Sequence, residues 1–304
     1  MKYGKLEDIS GVDFTLPEDH PQTKRLLKTL QKDASPKIYI GGTQFGRKEW
    51  VGSYIPLKTK STDYLVHTSK IFNTIELNAT HYRIFPENTV STWREKAAEG
   101  FKFCPKWPQS ISHRRRFKNH EDMSEDFLKS ILNLEEKLGP CFIQLPPNYS
   151  TKQANELIAY LQWLPRDLKI AVEFRHPEWF DGNSIAEDVF ETMEQLGVGT
   201  CMSDTAGRRD AVNMRLTSDF FIMRFGGYEL HPSDYDRMRQ WTNRFKKWID
   251  QGVKEIYIFM HQPDSLLTPE TNAHFAKMIN ATCNVNLPIP ERVDEQSTLF
   301  WSDQ

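Results

Sequence analysis

The chain has 304 residues, a length that an α/β barrel can fill as one domain around one large core. Its 39 Lys and Arg nearly balance its 41 Asp and Glu, which argues against general electrostatic binding of nucleic acid or of an anionic membrane, although a local basic site stays open. No run of about 18 apolar residues occurs, and the N-terminal stretch lacks the apolar core of a signal peptide. We therefore expect a cytoplasmic protein with no membrane association.

The first 35 residues are polar and contain one short amphipathic piece, residues 23–32. We interpret residues 1–35 as a loosely packed N-terminal extension that covers one end of the domain. Residues 36–304 then form the main domain.

From residue 37 onward, short β-rich runs alternate with segments that have apolar residues at helical spacing. The helical segment 124–138 begins with Ser124 as a candidate N-cap, and segment 235–252 ends at Gly252. Strands that alternate with helices indicate parallel βαβ units. The predicted strands are residues 37–42, 72–79, 100–106, 140–145, 168–174, 197–203, 219–225 and 255–260.

Eight such units predict a closed (β/α)8 TIM barrel, a fold of the α/β class whose active sites lie at the carboxyl ends of the strands. A doubly wound open sheet is the alternative. That fold usually carries a Gly-rich phosphate loop after its first strand, and GGTQFGRKEW, residues 41–50, does not fit the GxGxxG pattern.

The cysteines stand singly, so neither a CxxC metal pair nor a disulfide framework is indicated. Three of them, Cys104, Cys141 and Cys201, lie in apolar strand-like runs. We predict that these three are free and buried as small core residues.

Polar side chains fall at the carboxyl end of every predicted strand. In strand 72–79, side chains alternate between the two faces, so Ile75 and Leu77 face the helices while Glu76 and Asn78 face the barrel axis. A lone strand-end Arg or Asp is usually a loop anchor, but eight such ends at one rim predict a binding cup. The candidates are Glu76, Glu173 and Asp204 as catalytic acids, and Thr43, Asn78, Tyr82, Lys106, His113, Gln144, Arg175, Arg224 and His261 as ligand-binding residues.

The three acids of this cup are nearly balanced by Lys106, Arg175 and Arg224. Such a site can be stable without a metal, and arginine forks suit phosphate or carboxylate. We expect a metal-independent enzyme without a cofactor, a hydrolase, lyase or isomerase, that acts on a small anionic molecule. Glu76 and Glu173 would share acid and base work if the site separates their pKa values.

Other functions remain open at this point. A metal-dependent phosphodiesterase or isomerase of the endonuclease-like barrel type would need His113 and His261 to join the acids. A non-catalytic ligand-binding module could use the same cup, and a glycosidase-like carboxylate pair is conceivable. A nucleophilic triad is not favoured, because the sequence has no GxSxG elbow and Cys104 and Cys201 occupy strand interiors.

Two further patterns lie near the strand ends. Five aromatic residues could form a stacking wall for a sugar or a base, or could be ordinary loop packing: Phe45, Trp50, Tyr82, Trp107 and Trp179. The basic run HRRRF, residues 113–117, could contact nucleic acid, but we interpret it as a solvated loop.

Several of these segments together resemble the DUF72 family, also called YecE-like. They are GGTQF at 41–45, ELNATHYRIFPENTVSTW at 76–93, FKFCPKWPQSISH at 101–113, FIQLPPNY at 142–149, VEFRHPEW at 172–179 and MRFGG at 223–227. The resemblance implies a TIM barrel and no particular activity. One corner departs from the family pattern: where an aromatic residue followed by two Asn is common, this chain has His261 and Gln262.

Overall fold

The computed structural model describes residues 3–32 and 35–293, and its centre is a barrel of eight parallel strands. Each strand forms a ladder with its sequence neighbour except at β3 and β4, and β1 pairs with β8. The predicted (β/α)8 fold is therefore confirmed, and the doubly wound alternative is wrong. The strands are β1 Lys37–Gly42, β2 Thr74–Leu77, β3 Lys102–Pro105, β4 Cys141–Gln144, β5 Ile170–Glu173, β6 Gly199–Asp204, β7 Phe220–Gly226 and β8 Glu255–His261.

The barrel is nearly closed, with a loose seam between β3 and β4. Isolated bridges pair Phe103 with Leu138 and Lys106 with Phe142. The backbone N–H of Trp107 also donates to the Phe142 carbonyl over 2.9 Å. Lys106 therefore stands where the ladder is weakest.

Nine α-helices are found in the described residues. They are α1 Pro21–Thr29, α2 Tyr64–Ile71, α3 Ala79–Tyr82, α4 Glu87–Lys96, α5 Glu121–Leu132, α6 Ala154–Trp163, α7 Ser184–Leu196, α8 Pro232–Asp250 and α9 Thr268–Cys283. None of the helices in this part of the chain is long and apolar enough to cross a membrane.

Of the two predicted helix ends, the one at Ser124 is misplaced and the one at Gly252 lies close to the end of α8. The proposed N-cap Ser124 lies inside α5, where it is buried and its hydroxyl is 2.9 Å from the Tyr160 hydroxyl. The N-cap prediction is therefore wrong. The position of Ser124 is determined by packing against α6 and not by the preference of serine for helix N-termini. Gly252 follows the end of α8 at a φ of 108°, a left-handed conformation that glycine adopts without strain.

The connection from β6 to β7, residues 205–219, contains only the short 3₁₀ turn Arg209–Ala211. Helix α1 packs at this position: Leu26 and Leu27 join the same apolar cluster as Leu216 and Phe221. The Thr23 hydroxyl donates to the Met214 carbonyl over 2.8 Å. The prediction of a loosely packed extension is therefore wrong for α1, which lies on the side of the barrel as one of its helices.

The interior of the barrel below the mouth is filled with apolar side chains. Tyr39 and Tyr257 stack at a centroid distance of 4.5 Å near its amino end. All four cysteines are free and buried, which confirms the prediction for Cys104, Cys141 and Cys201. The interior cluster consists of Tyr39, Cys104, Phe142, Ala171, Cys201, Phe220, Ile222, Tyr257 and Phe259.

Candidate functional site

A polar layer covers the apolar interior at the carboxyl ends of the strands. Because strand side chains alternate, the residue two positions after each interior apolar side chain also faces the axis. This rule leads from Cys104 to Lys106 and from Ile222 to Arg224. It gives the buried residues Lys106, Gln144, Glu173, Ser203 and Arg224 and the partly buried His261, and Glu76 takes the same place two residues after Thr74.

Arg224 joins the two predicted catalytic acids. Its Nε and Nη2 each donate to a different oxygen of Glu76 over 2.9 Å, and its Nη1 donates to the Glu173 carboxylate over 3.0 and 3.1 Å. All three side chains are almost fully buried, at 4, 0 and 1 % exposure. The Arg224 guanidinium therefore binds Glu76 along one edge and Glu173 on its other side.

Glu173 has further donors on every side. Arg175 donates to it from Nε and Nη2 over 3.1 Å, Gln144 from Nε2 over 2.7 Å, and Ser203 from its hydroxyl over 2.6 Å. Ser203 was missed in the sequence, although the alternation of β6 places it on the same face as Cys201.

His261 contacts the second carboxylate. Its Nε2 lies 2.8 Å from Glu76 Oε2, and since a carboxylate only accepts, Nε2 carries the proton. Burial lowers the pKa of His261 more than the Glu76 charge raises it, so the imidazole is neutral. Gln262, the other departure from the family pattern, faces away and donates to the Thr271 hydroxyl over 2.9 Å.

The pKa values of the two acids move in the same direction. Burial alone would raise the pKa of Glu76, but the Arg224 charge and His261 hold it well below its ordinary value. Burial is likewise outweighed at Glu173, where Arg175 and Arg224 lower the pKa. Both pKa values lie below the ordinary value, so both groups stay ionised at neutral pH and neither can donate a proton as a general acid.

Asp204 does not join the mouth. It follows Ser203 and therefore faces outward, toward α8, where Trp241 Nε1 donates to it over 2.6 Å and Arg237 lies 3.4 Å away. Arg209 forms its second ion pair. The prediction that Asp204 converges with the other acids is wrong, because the side chain that faces the barrel axis is that of the preceding residue, Ser203. The Asp204 carboxylate instead links β6 to α8.

Lys106 differs from the other cations of the site. Its Nζ lies 5.9 Å from the centre of the Phe142 ring, and the side chain is only 6 % exposed. Among residues 3–32 and 35–293 it has no hydrogen-bond or ion-pair partner. Burial, together with the Arg224 charge, lowers the pKa of Lys106 to about 8 although Glu76 and Glu173 oppose this.

Two imidazoles lie in electrostatic range of Lys106 and are both kept neutral. Burial and the charge of Lys106 lower the pKa of His113 to about 4 and that of His81 to about 3. Their rings contact edge to face at 5.0 Å. His81 Nδ1 donates to the Trp107 carbonyl over 2.6 Å, which leaves Nε2 with its lone pair. His81 was missed because it lies on α3, outside the strand alternation.

The remaining predicted binding residues lie at the rim. Thr43 and Asn78 follow β1 and β2, are half-buried, and make no side-chain hydrogen bond among the described residues. Tyr82 is 71 % exposed and packs its ring against His81 at 5.3 Å. Ligand contact by these three stays a prediction.

Of the two alternatives for the aromatic residues, loop packing is correct for the three tryptophans. Trp50, Trp107 and Trp179 are 2, 0 and 1 % exposed, and Trp107 and Trp179 donate their indole N–H groups to Tyr160 and Tyr149. Phe45, the fourth member, packs edge to face on Trp93. In the basic run 113–117, Arg114 and Arg115 are exposed whereas His113 lies beside the mouth.

A cavity of about 200 Å³ opens beside the polar layer. The N-terminal residues Tyr3 to Lys5 form one wall, and the ends of β7 and β8, including His261, form another. The Tyr3 ring lies over the Arg175 guanidinium at 4.3 Å. Residues near the start of the described chain therefore lie at the mouth.

The fold and the site together define an α/β barrel with a buried carboxylate–arginine network at the carboxyl ends of its strands. The chain belongs to the family described as protein of unknown function DUF72, whose pattern matches residues 39–294.

Two curated relatives agree with this membership, and a solved structure agrees with the fold. The chain is 27% identical over 281 residues to the UPF0759 protein YecE of Escherichia coli strain K12, covering 86% of this chain and 100% of that protein. It is 33% identical over 152 residues to the UPF0759 protein YunF of Bacillus subtilis strain 168, covering 47% and 52%. A crystal structure of a DUF72 family protein from Enterococcus faecalis V583 has a TM-score of 0.63 at 18% identity, covering 84% and 100%, and supports the fold.

Proposed function

We propose that the protein is a metal-independent enzyme that acts on a small phosphate- or carboxylate-bearing molecule at the mouth of the barrel. The observation that carries the proposal is that the ammonium group of Lys106, a residue only 6 % exposed, has no hydrogen-bond or ion-pair partner among the described residues. A buried charge is costly unless it is paired. An anionic ligand is the partner that would complete the site.

The charge count of the mouth supports an anion. Glu76 and Glu173 give two negative charges, and Arg175, Arg224 and protonated Lys106 give three positive charges, so the layer carries one net positive charge. Arg224 spends all three of its nitrogens on the two carboxylates. Arg175 uses Nε and Nη2 in the same way, and no partner for its Nη1 is found in the described residues.

The hydrogen bonds that the two carboxylates already accept favour metal-independent chemistry over the metal-dependent alternative. The oxygens of Glu76 already accept from Arg224 and His261, and those of Glu173 from four side chains. A metal ion would have to displace these donors and bind next to Arg224. Within the described ranges no group of three or more His, Cys, Asp and Glu side chains is placed to hold a metal ion.

Calorimetric binding of inorganic phosphate, pyruvate and glucose 6-phosphate tests the proposal. Lys106→Met should raise the Kd of the best anion at least about tenfold, the equivalent of about 1.4 kcal/mol, and Lys106→Arg should keep most of the affinity. Lys102→Met, which removes a cation from the opposite end of β3, is the matched control and should leave the Kd unchanged.

Two outcomes would count against the proposal. If no anion binds the wild-type protein, or if Lys106→Met binds as tightly as wild type, Lys106 is not an anion site. A turnover screen with the anions that bind then separates an enzyme from a non-catalytic binding module, which would show affinity without reaction.

A further inference from the structure

Lys106 combines three features that are rarely found together in an ordinary structural lysine. It is buried at the carboxyl end of a barrel strand, its Nζ lies over the Phe142 ring, and its Nζ has no hydrogen-bond or ion-pair partner among the described residues. The groups that face it come from five elements: Glu76, His81, His113, Glu173, Arg175 and Arg224.

This environment changes the state of the amine. Burial and the neighbouring Arg224 bring the pKa of Lys106 to about 8. About a tenth of the amine is then neutral at pH 7, roughly 300-fold more than for a lysine with the ordinary value. Desolvation and an adjacent cation are the conditions under which a lysine becomes a nucleophile toward carbonyl carbon.

We infer that Lys106 forms an imine with the aldehyde or ketone carbon of the substrate, and that the substrate is a carbonyl compound that also carries a carboxylate or phosphate. This inference rests on the proposed function, because it assigns the chemistry and the substrate class of the same anion-binding mouth.

The step balances without an external reagent. The neutral amine attacks the carbonyl carbon, a C–N bond forms, and the amine proton passes to the carbonyl oxygen to give a carbinolamine. Protonation of its hydroxyl then expels water and leaves a protonated imine. That cation accepts the electron pair released when an adjacent C–H or C–C bond breaks, which gives a neutral enamine and releases a proton or a carbonyl or carbon dioxide fragment. A proton then adds to the enamine carbon and regenerates the protonated imine. Water finally hydrolyses the imine and returns the amine and a carbonyl product.

The neighbours of Lys106 suit these proton transfers. His113 and His81 are neutral and, with pKa values of about 4 and about 3, are weak bases whose protonated forms are strong acids. A ring that takes up a proton during carbinolamine formation therefore passes it readily to the departing hydroxyl. Glu76 and Glu173 stay ionised and lie in electrostatic range of Nζ. The protonated imine is positive at the position of the lysine ammonium, so the same fixed carboxylates stabilise it. This gives the two acids a role that requires neither of them to titrate.

Reductive trapping tests the inference on the full chain. Pyruvate, glyoxylate and glyceraldehyde 3-phosphate are each incubated with the protein and sodium cyanoborohydride at pH 7.5, and the product is examined by intact mass and peptide mapping. One adduct per chain on Lys106, formed at least tenfold faster than on any other lysine, is the expected result. Inorganic phosphate should slow it by occupying the anion site.

Two variants separate the amine from the charge. Lys106→Arg keeps the cation, so it should still bind the anion but form no adduct at position 106. Lys102→Arg, at the other end of β3, should trap as fast as wild type. The melting temperature of each variant shows that the fold is retained.

The outcomes distinguish the two proposals. Anion binding without trapping, or adducts spread over surface lysines and unchanged in Lys106→Arg, would overturn the imine and leave the anion-binding function standing. Failure of every anion to bind would overturn both. Trapping at Lys106 that phosphate suppresses would support both.

Discussion

Buried charges in this mouth fall into two kinds. Arg224 is enclosed by two carboxylates that satisfy each of its nitrogens, and its pKa is raised in consequence, although burial opposes this. Lys106 is buried in the same layer without such a partner. A paired buried ion holds its neighbours in place, whereas an unpaired one costs folding free energy and suits a ligand. We therefore propose a structural role for Arg224 and a ligand-binding role for Lys106.

The first prediction concerns the paired ion. Glu76→Gln removes the charge that Arg224 Nε and Nη2 contact, so unfolding in urea at pH 7 should show a loss of about 3 kcal/mol, because a buried guanidinium is left half compensated. Arg224→Met should cost a similar amount. The double variant should cost at least about 1 kcal/mol less than the sum. A loss below about 1 kcal/mol for Glu76→Gln would show that the bridge does not hold the layer together.

The second prediction concerns the unpaired ion. Since the pKa of Lys106 is about 8 in the folded state and about 10.5 when unfolded, the penalty is fully present below pH 8 and fades as pH rises to 10.5. Lys106→Met should therefore be more stable than wild type at pH 7, by up to about 3 kcal/mol. The difference should narrow toward pH 10 in urea titrations.

Lys106→Arg provides the control for that titration. Its guanidinium keeps the charge throughout this range, so no comparable gain in stability should appear between pH 8 and 10. A Lys106→Met variant that is less stable than wild type at pH 7, or a difference independent of pH, would contradict the assignment.

At the level of elements, the N-terminal segment completes the ring of helices. The β6–β7 connection contains no α-helix, and a parallel barrel strand needs apolar cover on its outer face. Helix α1 provides that cover between α7 and α8. Arg25 pairs with Glu194 of α7 over 2.9 Å, and Asp19 contacts α8. We propose that residues 3–32 and 35–293 fold as one cooperative unit.

The third prediction tests this attachment. Asp19 is 3 % exposed and accepts from Arg244 and Lys247 over 2.7 Å and from Trp248 Nε1 over 3.0 Å. Asp19→Ala leaves these donors without their acceptor and should lower the free energy of unfolding by about 2 kcal/mol.

Glu18→Ala is the matched control for Asp19→Ala. Glu18 is 84 % exposed and lies 3.5 Å from Lys24, so its removal should change the stability by less than about 0.5 kcal/mol. Equal effects of the two substitutions would mean that the segment is not anchored through Asp19.

At the scale of the whole molecule, the closed barrel isolates its thiols. Cys104 and Cys141 are 0 % exposed and Cys201 is 5 % exposed. Burial raises the pKa of all three thiols. Cys283, at the end of α9, is less enclosed, and burial raises its pKa to about 11.

The fourth prediction follows for thiol labelling with a chromogenic disulfide at pH 8. In native protein Cys283 should react first, and the other three should react only at the rate at which the barrel opens. All four should react at once in urea. Rapid labelling of Cys104 or Cys201 in the native state would show that the interior is open, and would argue against a closed barrel in solution.

The sequence by itself determined the eight strands, their parallel order and the inward position of Glu76, Lys106, Glu173 and Arg224. The reason is local: strand alternation and the repeat of βαβ units are properties of the chain that no long-range contact has to supply. Asp204 was misplaced because the sequence does not mark where a strand ends. The predicted strand ended at residue 203, whereas β6 continues through Asp204 and alternation turns this side chain outward.

Only the tertiary structure decided which charges meet. Arg224 and Glu76 are 148 residues apart in sequence, and nothing in either segment specifies that one guanidinium bridges two acids or that Lys106 is left without a partner. Tertiary structure likewise decided where α1 packs, that the three tryptophans are buried away from the mouth, and that His81 lies near Lys106. Pairing, burial and pKa depend on side chains that come together only when the barrel closes, because electrostatic energy is set by distance in space and by exclusion of water.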